Sequence, residues 1–479
     1  MQFDTIITGG KLIGGGKTVH ADLGIRGETI AAIGKDLVKK SGLGGKGRNG
    51  SKEIGASDTR VIDARGRYVI PGGLDVHVHL ALPFCGTTSA DDYDSGTRAA
   101  ACGGVTTVID FAIPYGQESL QQAVDNWHEK ARGRACVDYT FHCAITNWPR
   151  HGPEVKKIFD QGITTFKQFM IYESQGWQSD DAAIYAALTR LRELGGLLLV
   201  HAESSRVLDF LIEQHHTPEL MRKHKAMLHV VTRPNFIEAE AIERVIHWTR
   251  VTKGRSFIVH MSTGEGADLI RKAQQEGVDI LAETCAQYLV LDDRVFGGAD
   301  GHLFATCPQL KKPRDQRRLW EGIRRGEVCN ISTDTCTFTR SQKAMWDGDW
   351  TKIPMGMPGL ETLMPLVYTK GVLGKKISIH DYVNRLCTAP AKIMGLYPRK
   401  GLLKVGSDAD VVVFHPTRTR KVDHKTLQTN CDWSPFQGWN LAGFAEHTFC
   451  RGAHIVDDYK FVGRNGWGRF LKRDHVGRA

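Results

Sequence analysis

The sequence predicts an α/β protein: a (β/α)₈ TIM-like barrel with a small β-sandwich domain built from both chain ends. Two observations carry this expectation. Between residues 68 and 396, eight short apolar runs alternate with longer amphipathic segments of helical period, the signature of strand-then-helix units. On either side, residues 1–67 and 397–462 read as short strands separated by turns, and the two ends of a domain often lie close together. A doubly wound open sheet is the alternative. It needs fewer strands and usually opens with a Gly-rich turn that this sequence lacks.

The N-terminal strands are Phe3–Thr8, a turn at Gly9-Gly10, then Lys11–Ile13, Asp22–Ile25 and Thr29–Ile33. Residues 40–58 are rich in Gly, Ser and Lys. They offer too little apolar surface to offset ordering entropy, so a flexible surface loop is expected there. The barrel runs are Tyr68–Ile70 leading to His77, Val105–Phe111, Val137–Ile145, Ile163–Phe169, Leu197–Val200, Phe257–Val259, Val278–Leu281 leading to Thr284, and Val328–Ile331. The clearest helix spans 118–132, where Leu120, Val124, Trp127 and Ala131 recur every three to four residues. Strands resume at Asp408–Phe414, Glu446–Cys450, Ala453–Val456 and Tyr459–Val462, and residues 463–479 form a tail.

Composition narrows the function. With 41% hydrophobic and 24% charged residues, the 479-residue chain has the make-up of a soluble globular protein. No apolar run approaches the ~20 residues of a membrane span. The first residues lack a basic stretch followed by a long apolar one, so a cytoplasmic protein without a signal peptide is expected. The 11 cysteines are scattered from Cys85 to Cys450 without a Cys-x-x-Cys pair, which argues against a disulfide framework and a cysteine zinc site. The net charge of +10 is dispersed. Its densest clusters, Lys39–Lys52 and Arg464–Arg478, fall in the Gly-rich stretch and the tail, so solvated surface rather than nucleic-acid binding is the reading.

Chemistry in such a barrel sits at the C-terminal ends of the strands. The first run closes in His77-Val78-His79, two imidazoles that alternate onto one face. Other runs close in Lys167, His201, His260 and Asp334. Six such groups at one level would leave costly unpaired polar atoms without a cation. A shared metal centre accounts for all of them, and imidazole with carboxylate suits zinc, with manganese, cobalt, nickel or iron as alternatives. A protonated Lys167 cannot ligate. A desolvated, neutral amine can react with carbon dioxide, and the resulting carbamate could bridge two ions.

These segments resemble the dihydropyrimidinase/hydantoinase family of the amidohydrolase superfamily. The resemblance rests on Gly73–Leu80 with Leu82-Pro83-Phe84, Ala90–Tyr93 with Gly96–Ala100, Phe166–Tyr172, Val200–Glu203, Val259–Ser262, Glu283–Leu289 and Ser332–Cys336, in that order over nearly the full chain, and less specifically on Gly466–Arg473. It implies two divalent metals, usually zinc, with His77, His79 and Asp334 on one, His201 and His260 on the other, and carbamylated Lys167 between them. It also implies a hydroxide held by both ions, Asp334 as the proton carrier, and Tyr172 as stabiliser of the developing oxyanion. Family members are often homo-oligomers, tetramers or dimers.

Two substrate-holding segments depart from the family. Cys307-Pro308-Gln309-Leu310-Lys311 stands where Ser-Pro-Pro-Leu-Arg is common, and Pro354-Met355-Gly356-Met357-Pro358-Gly359 where Pro-Asn-Gly-Gly-Pro-Gly is common. Thr335 replaces the usual His after the metal-binding Asp. Dihydroorotate-hydrolysing relatives carry Arg, and allantoinases Asn, where this chain has Ala81. Leu82, Phe84 and Trp177 could wall a pocket for an apolar ring substituent, or pack the barrel rim or an oligomer contact. The expected activity is hydrolytic opening of hydantoins or dihydropyrimidines to N-carbamoyl amino acids. An allantoinase or cyclic-imide hydrolase, and a non-catalytic scaffold relative, are the alternatives.

Overall fold

A computed structural model describes residues 2–43 and 59–473. Eight parallel strands build the central sheet: β1 Gly73–Val78, β2 Val105–Ala112, β3 Asp138–Ala144, β4 Thr165–Phe169, β5 Leu197–His201, β6 Ser256–Ile258, β7 Ile280–Cys285 and β8 Asn330–Ser332. Neighbours in sequence are neighbours in space, as right-handed strand–helix crossovers require. The sheet closes on itself where Val78 bridges Thr335 and the His79 N–H donates to the Thr335 carbonyl at 2.8 Å. Strands covered on both faces read as continuous apolar runs, and β2 and β3 are buried along their whole lengths.

The helix expected at 118–132 spans Leu120–Ala131 and buries Leu120, Ala123, Val124, Trp127 and Ala131 as one stripe. It starts at Ser119, whose hydroxyl accepts from the Gln122 N–H while Gln122 reaches back to the Ser119 N–H. Helices Tyr93–Gly103, Asp181–Leu194, Asn235–Thr252, Gly264–Gln275 and Pro313–Arg325 pack five of the other connections, and the shorter Val155–Asp160 lies between β3 and β4.

Both chain ends meet in a second, nine-stranded sheet. Its order is Lys460–Phe461, Ala453–Asp457, Ala445–Cys450, Val411–Phe414, Tyr68–Pro71, Thr5–Gly14, Lys17–Arg26 and Thr29–Gly34, with Arg60–Asp63 pairing alongside Thr5–Gly14. The first apolar run of the sequence therefore divides. Tyr68–Pro71 pairs with Val411–Phe414 in the end sheet, and only from Gly73 does the chain enter the barrel. Gly72 and Gly73 make the crossing possible: a Cβ on Gly72 would lie 2.1 Å from the Thr106 hydroxyl, and one on Gly73 2.8 Å from the Met364 sulfur. Gly9-Gly10 is a bulge rather than the expected turn. Thr5–Gly14 runs on as one strand with a register shift between Ile7 and Gly10, because a Cβ on Gly10 would sit 2.5 Å from Val69.

Of the segment 40–58, Lys40 ends a short helix, Leu37–Lys40, and residues 44–58 lie outside the described residues. The tail docks under the barrel as far as Arg473. Phe470 bridges Tyr139, the Leu471 N–H donates to Tyr139 at 2.7 Å, and the Arg473 N–H donates to Gly162 at 3.0 Å. Residues 474–479 lie outside the described residues. Among the described residues no helix is long and apolar enough to cross a membrane.

A buried charge cluster joins the two sheets. The Lys400 ammonium lies 2.7 Å from Asp138 at the start of β3, 2.7 Å from Asp410 beside Val411–Phe414, and 3.0 Å from Asp408. The Arg451 guanidinium adds a contact to Asp138 at 2.9 Å. Lys400 is fully buried, so removing the ammonium alone leaves Asp410 and Asp408 without their cation while Asp138 keeps only Arg451. Lys400→Met is expected to lower unfolding free energy by about 3–5 kcal/mol, measured by urea denaturation. A loss under about 1 kcal/mol would show that the cluster adds nothing to the docking of the two sheets.

Candidate active site

The polar residues at the strand ends reach their positions by two local devices. His77 lies within β1 and His79 just beyond it, so alternation puts both rings on one face, 5.2 Å apart. Lys167 lies within β4 and His201 ends β5. His260 and Asp334 follow β6 and β8 by two residues, each with positive φ (40° and 51°), so the chain turns sharply as it leaves the strand. Tyr172, in the loop after β4, also has positive φ (73°). Non-glycine residues adopt this region at a cost of about 1–3 kcal/mol, and such strain gathers at functional sites.

All twelve residues singled out in the sequence line one cavity at the C-terminal ends of the strands. It has about 480 Å³ of free space, part of it open to solvent. His77, His79, Lys167, His201, His260 and Asp334 supply its polar groups. Leu82, Phe84, Tyr172, Trp177, Cys307 and Met355 supply most of the remaining wall, with Ile113, Phe169, Cys336 and Gly356. Four aromatic rings interlock in this wall. Phe84 stacks on Trp177 at 5.5 Å, Phe169 lies 5.4 Å from Trp177, and Tyr172 meets both Phe84 and the His201 ring edge-on at 5.6 and 5.3 Å. Packing on the rim and lining the cavity are thus the same arrangement. Phe84 sits on a two-residue strand, Pro83–Phe84, paired with Thr87–Thr88.

Within the cavity, Asp334 Oδ1 lies 3.2 Å from both His77 Nε2 and His79 Nε2. The His201 and His260 rings are 4.4 Å apart, and donor atoms of His77, His260 and Asp334 lie within 4.8 Å of one another. The two halves of the set therefore adjoin. Burial holds the His77 and His260 rings well below the ordinary imidazole range, and His201 below it too, so all three are neutral and carry a lone pair. Burial also brings the Lys167 ammonium down to about 7 against the opposing charges of Asp334 and Glu283. His79 Nδ1 and His260 Nδ1 are buried with no hydrogen-bond partner among the described residues. The neutral rings of His77, His201 and His260, the unmatched nitrogens of His79 and His260, and the Asp334 carboxylate fit a borderline-soft divalent cation such as zinc.

Three carboxylates that support this set were missed in the sequence. Glu283 Oε1 lies 2.5 Å from His77 Nδ1 and accepts from the His260 N–H at 3.2 Å; Asn330 holds its other oxygen at 3.2 Å. Glu203 Oε2 lies 2.8 Å from His201 Nε2. Asp75 accepts from the backbone N–H groups of His77 and Thr333 at 3.1 and 3.2 Å and from the Thr333 hydroxyl at 2.6 Å. Spacing held a signal for two of them, since Asp75 and Glu203 stand two residues from His77 and His201. Glu283 gave none beyond its place at the end of β7.

Residues 68–454 match the model of the amidohydrolase family. The chain belongs to that family. Within the amidohydrolase family it falls in the hydantoinase/dihydropyrimidinase branch. It is 37% identical over 481 residues to the D-hydantoinase of Geobacillus stearothermophilus, with 98% of this chain and 97% of that one covered. A D-hydantoinase of Streptomyces coelicolor is 36% identical over 478 residues, covering 99% and 98% of the two chains. The crystal structure of dihydropyrimidinase from Brevibacillus agri superposes with a TM-score of 0.92 at 37% identity, covering 99% of this chain and 100% of that one.

Glu283 fixes which His77 nitrogen faces the cavity. Glu283→Gln keeps the shape but not the charge, and is expected to weaken cation affinity roughly 10- to 100-fold, read by chelator competition. An unchanged affinity would reduce Glu283 to a packing residue.

Proposed function

We propose that this amidohydrolase opens the ring of hydantoins and dihydropyrimidines, adding water across the cyclic amide to give N-carbamoyl amino acids. The observation that carries the reading is the convergence of four imidazoles, Lys167 and Asp334 in one cavity of a chain that aligns end to end with hydantoinases. His77, His79 and Asp334 would hold one divalent ion, zinc in our reading, and His201 and His260 a second, with Lys167 bridging them as its carbamate. When bound, the pair supplies polarisation of the scissile carbonyl and acidification of the attacking water.

The side chains then divide the remaining work. Asp334, beside both His77 and His79, takes the proton of the attacking water and delivers it to the leaving ring nitrogen. Burial keeps the Tyr172 phenol well above the ordinary tyrosine range, so it remains an O–H donor and hydrogen-bonds the oxygen on which charge develops. Leu82, Phe84 and Trp177 receive the ring substituent, with Cys307 and Met355 narrowing the cavity beside Tyr172. The eleven cysteines are all unpaired, which supports a reducing, cytoplasmic setting. A homo-oligomer, a dimer or tetramer, is the proposed assembly.

The deciding experiment is ring opening by protein purified with zinc and bicarbonate, assayed on hydantoin, a 5-aryl hydantoin, dihydrouracil, allantoin and a cyclic imide. Turnover of the first three identifies the proposed activity. Turnover confined to allantoin or the imide would replace it. With ¹³C-bicarbonate, a carbamate carbon signal is expected that Lys167→Ala abolishes. Tyr172→Phe is expected to lower kcat by about 10²–10³ while zinc content stays constant. Trp177→Ala is expected to change the kcat/KM ratio of 5-aryl hydantoin to unsubstituted hydantoin by roughly tenfold. Equal loss on both would place Trp177 outside substituent recognition.

A further inference from the structure

The end sheet carries a second convergence of metal-ligating atoms, away from the cavity. On the hairpin formed by Ala445–Cys450 and Ala453–Asp457, His447 pairs with Asp457 and Thr448 with Val456, but Phe449 pairs with His454. Ile455 is the extra residue of this bulge. In a regular strand residues three apart point to opposite faces. The bulge cancels that alternation, so His454 and Asp457 join His447 on one face.

The three side chains meet atom to atom. His447 Nδ1 lies 3.2 Å from His454 Nε2 and 3.2 Å from Asp457 Oδ1, and His454 Nε2 lies 3.8 Å from Asp457 Oδ1. A tetrahedral ion with bonds of about 2.0–2.1 Å has donor-to-donor edges of about 3.3 Å. The His454 ring is held in place: it stacks flat on Phe449 at 4.4 Å and 10°, and its side chain is 4% exposed. Asp457 is 50% exposed, so the fourth position opens to solvent. With one N–H per neutral imidazole the three edges cannot all be good hydrogen bonds: His447 Nδ1 cannot accept from His454 Nε2 and also donate to Asp457 Oδ1, and the remaining His454–Asp457 edge is long at 3.8 Å.

We propose that His447, His454 and Asp457 form a further divalent-cation site, independent of the barrel cavity, with two imidazoles, one carboxylate and a water on the ion. The donor set selects zinc, or copper(II) and nickel(II), over calcium and magnesium. Bound there, the ion ties Ala445–Cys450 to Ala453–Asp457 near the sheet edge at Lys460–Phe461. One group opposes it. Arg60 Nη1 contacts His454 Nδ1, which places the ring proton on Nε2. Binding therefore moves that proton to Nδ1 and displaces the exposed Arg60 side chain.

The test is zinc stoichiometry of the zinc-loaded enzyme, by equilibrium dialysis at micromolar free zinc with elemental analysis. Wild type is expected to hold one more equivalent per chain than His447→Ala or His454→Ala. Both variants keep the wild-type rate of ring opening, or wild-type far-ultraviolet circular dichroism should the enzyme prove inactive, which reports an intact fold. Arg60→Ala is expected to retain the equivalent and bind it on the order of threefold tighter, the scale of removing one exposed like charge. His260→Ala is expected to lose cation from the barrel but not from the hairpin, so failure of the barrel reading is told apart from failure of this one. Anomalous scattering at the zinc edge should place a peak between His447 and His454. Equal zinc content in wild type and His447→Ala, or the absence of that peak in loaded crystals, overturns the proposal.

Discussion

The Asp75 carboxylate joins two segments 258 residues apart, and the cavity depends on that junction. It accepts from the His77 N–H on β1 and from the N–H and hydroxyl of Thr333 beyond β8, the two strands at which the barrel closes. Asp334 is the next residue, so its approach to His77 and His79 follows from the closure. Burial raises the Asp75 carboxyl to about 7, with the three hydrogen bonds opposing that rise. A buried acid held this way is stabilised chiefly by having no better partner, since each donor it leaves would also be stranded.

Strain and desolvation accumulate around this junction. Tyr172, His260 and Asp334 all carry left-handed backbones, and His77, Lys167, His201 and His260 have their charged forms disfavoured by burial. None of this favours the folded chain by itself. Fully buried strands on both sides over-determine the positions, and a cation that binds only the folded arrangement adds its binding free energy to stability. The Trp177–Phe84 stack serves the same end by fixing the cavity wall through contacts it makes with itself.

Most of this was legible because period-two alternation and the strand-end rule act locally. His77 and His79 needed only their spacing, and Lys167, His201, His260 and Asp334 only their place after an apolar run. What was not legible depended on pairing between distant segments. Glu283 is an ordinary strand residue until β7 brings it to His77. Tyr68–Pro71 looks like the start of the first barrel strand until Gly72-Gly73 lets the chain cross between sheets. Gly9-Gly10 reads as a turn because the tight contact with Val69 that demands glycine lies some sixty residues away in the sequence. The face shared by His454 and Asp457 rests on a bulge whose register only the partner strand sets.

The two ends of the barrel are built from similar residue types with opposite outcomes. At the N-terminal ends of the strands, Asp138 and Asp410 each have a cation within 3 Å, and the Thr106 hydroxyl donates to Asp410 at 2.9 Å. Opposite charges are matched inside the protein, which suits the joining of two sheets. At the C-terminal ends the nitrogens outnumber the acids, and His79 Nδ1 and His260 Nδ1 have no partner among the described residues. Glu283 and Glu203 each occupy one nitrogen of an imidazole and so direct the other inward. Such supports hold each ring by one nitrogen and leave its other nitrogen free to face the cavity. Burial alone would make both ends structural; the surplus of lone pairs at one end is what makes it a place for cations, and so for chemistry.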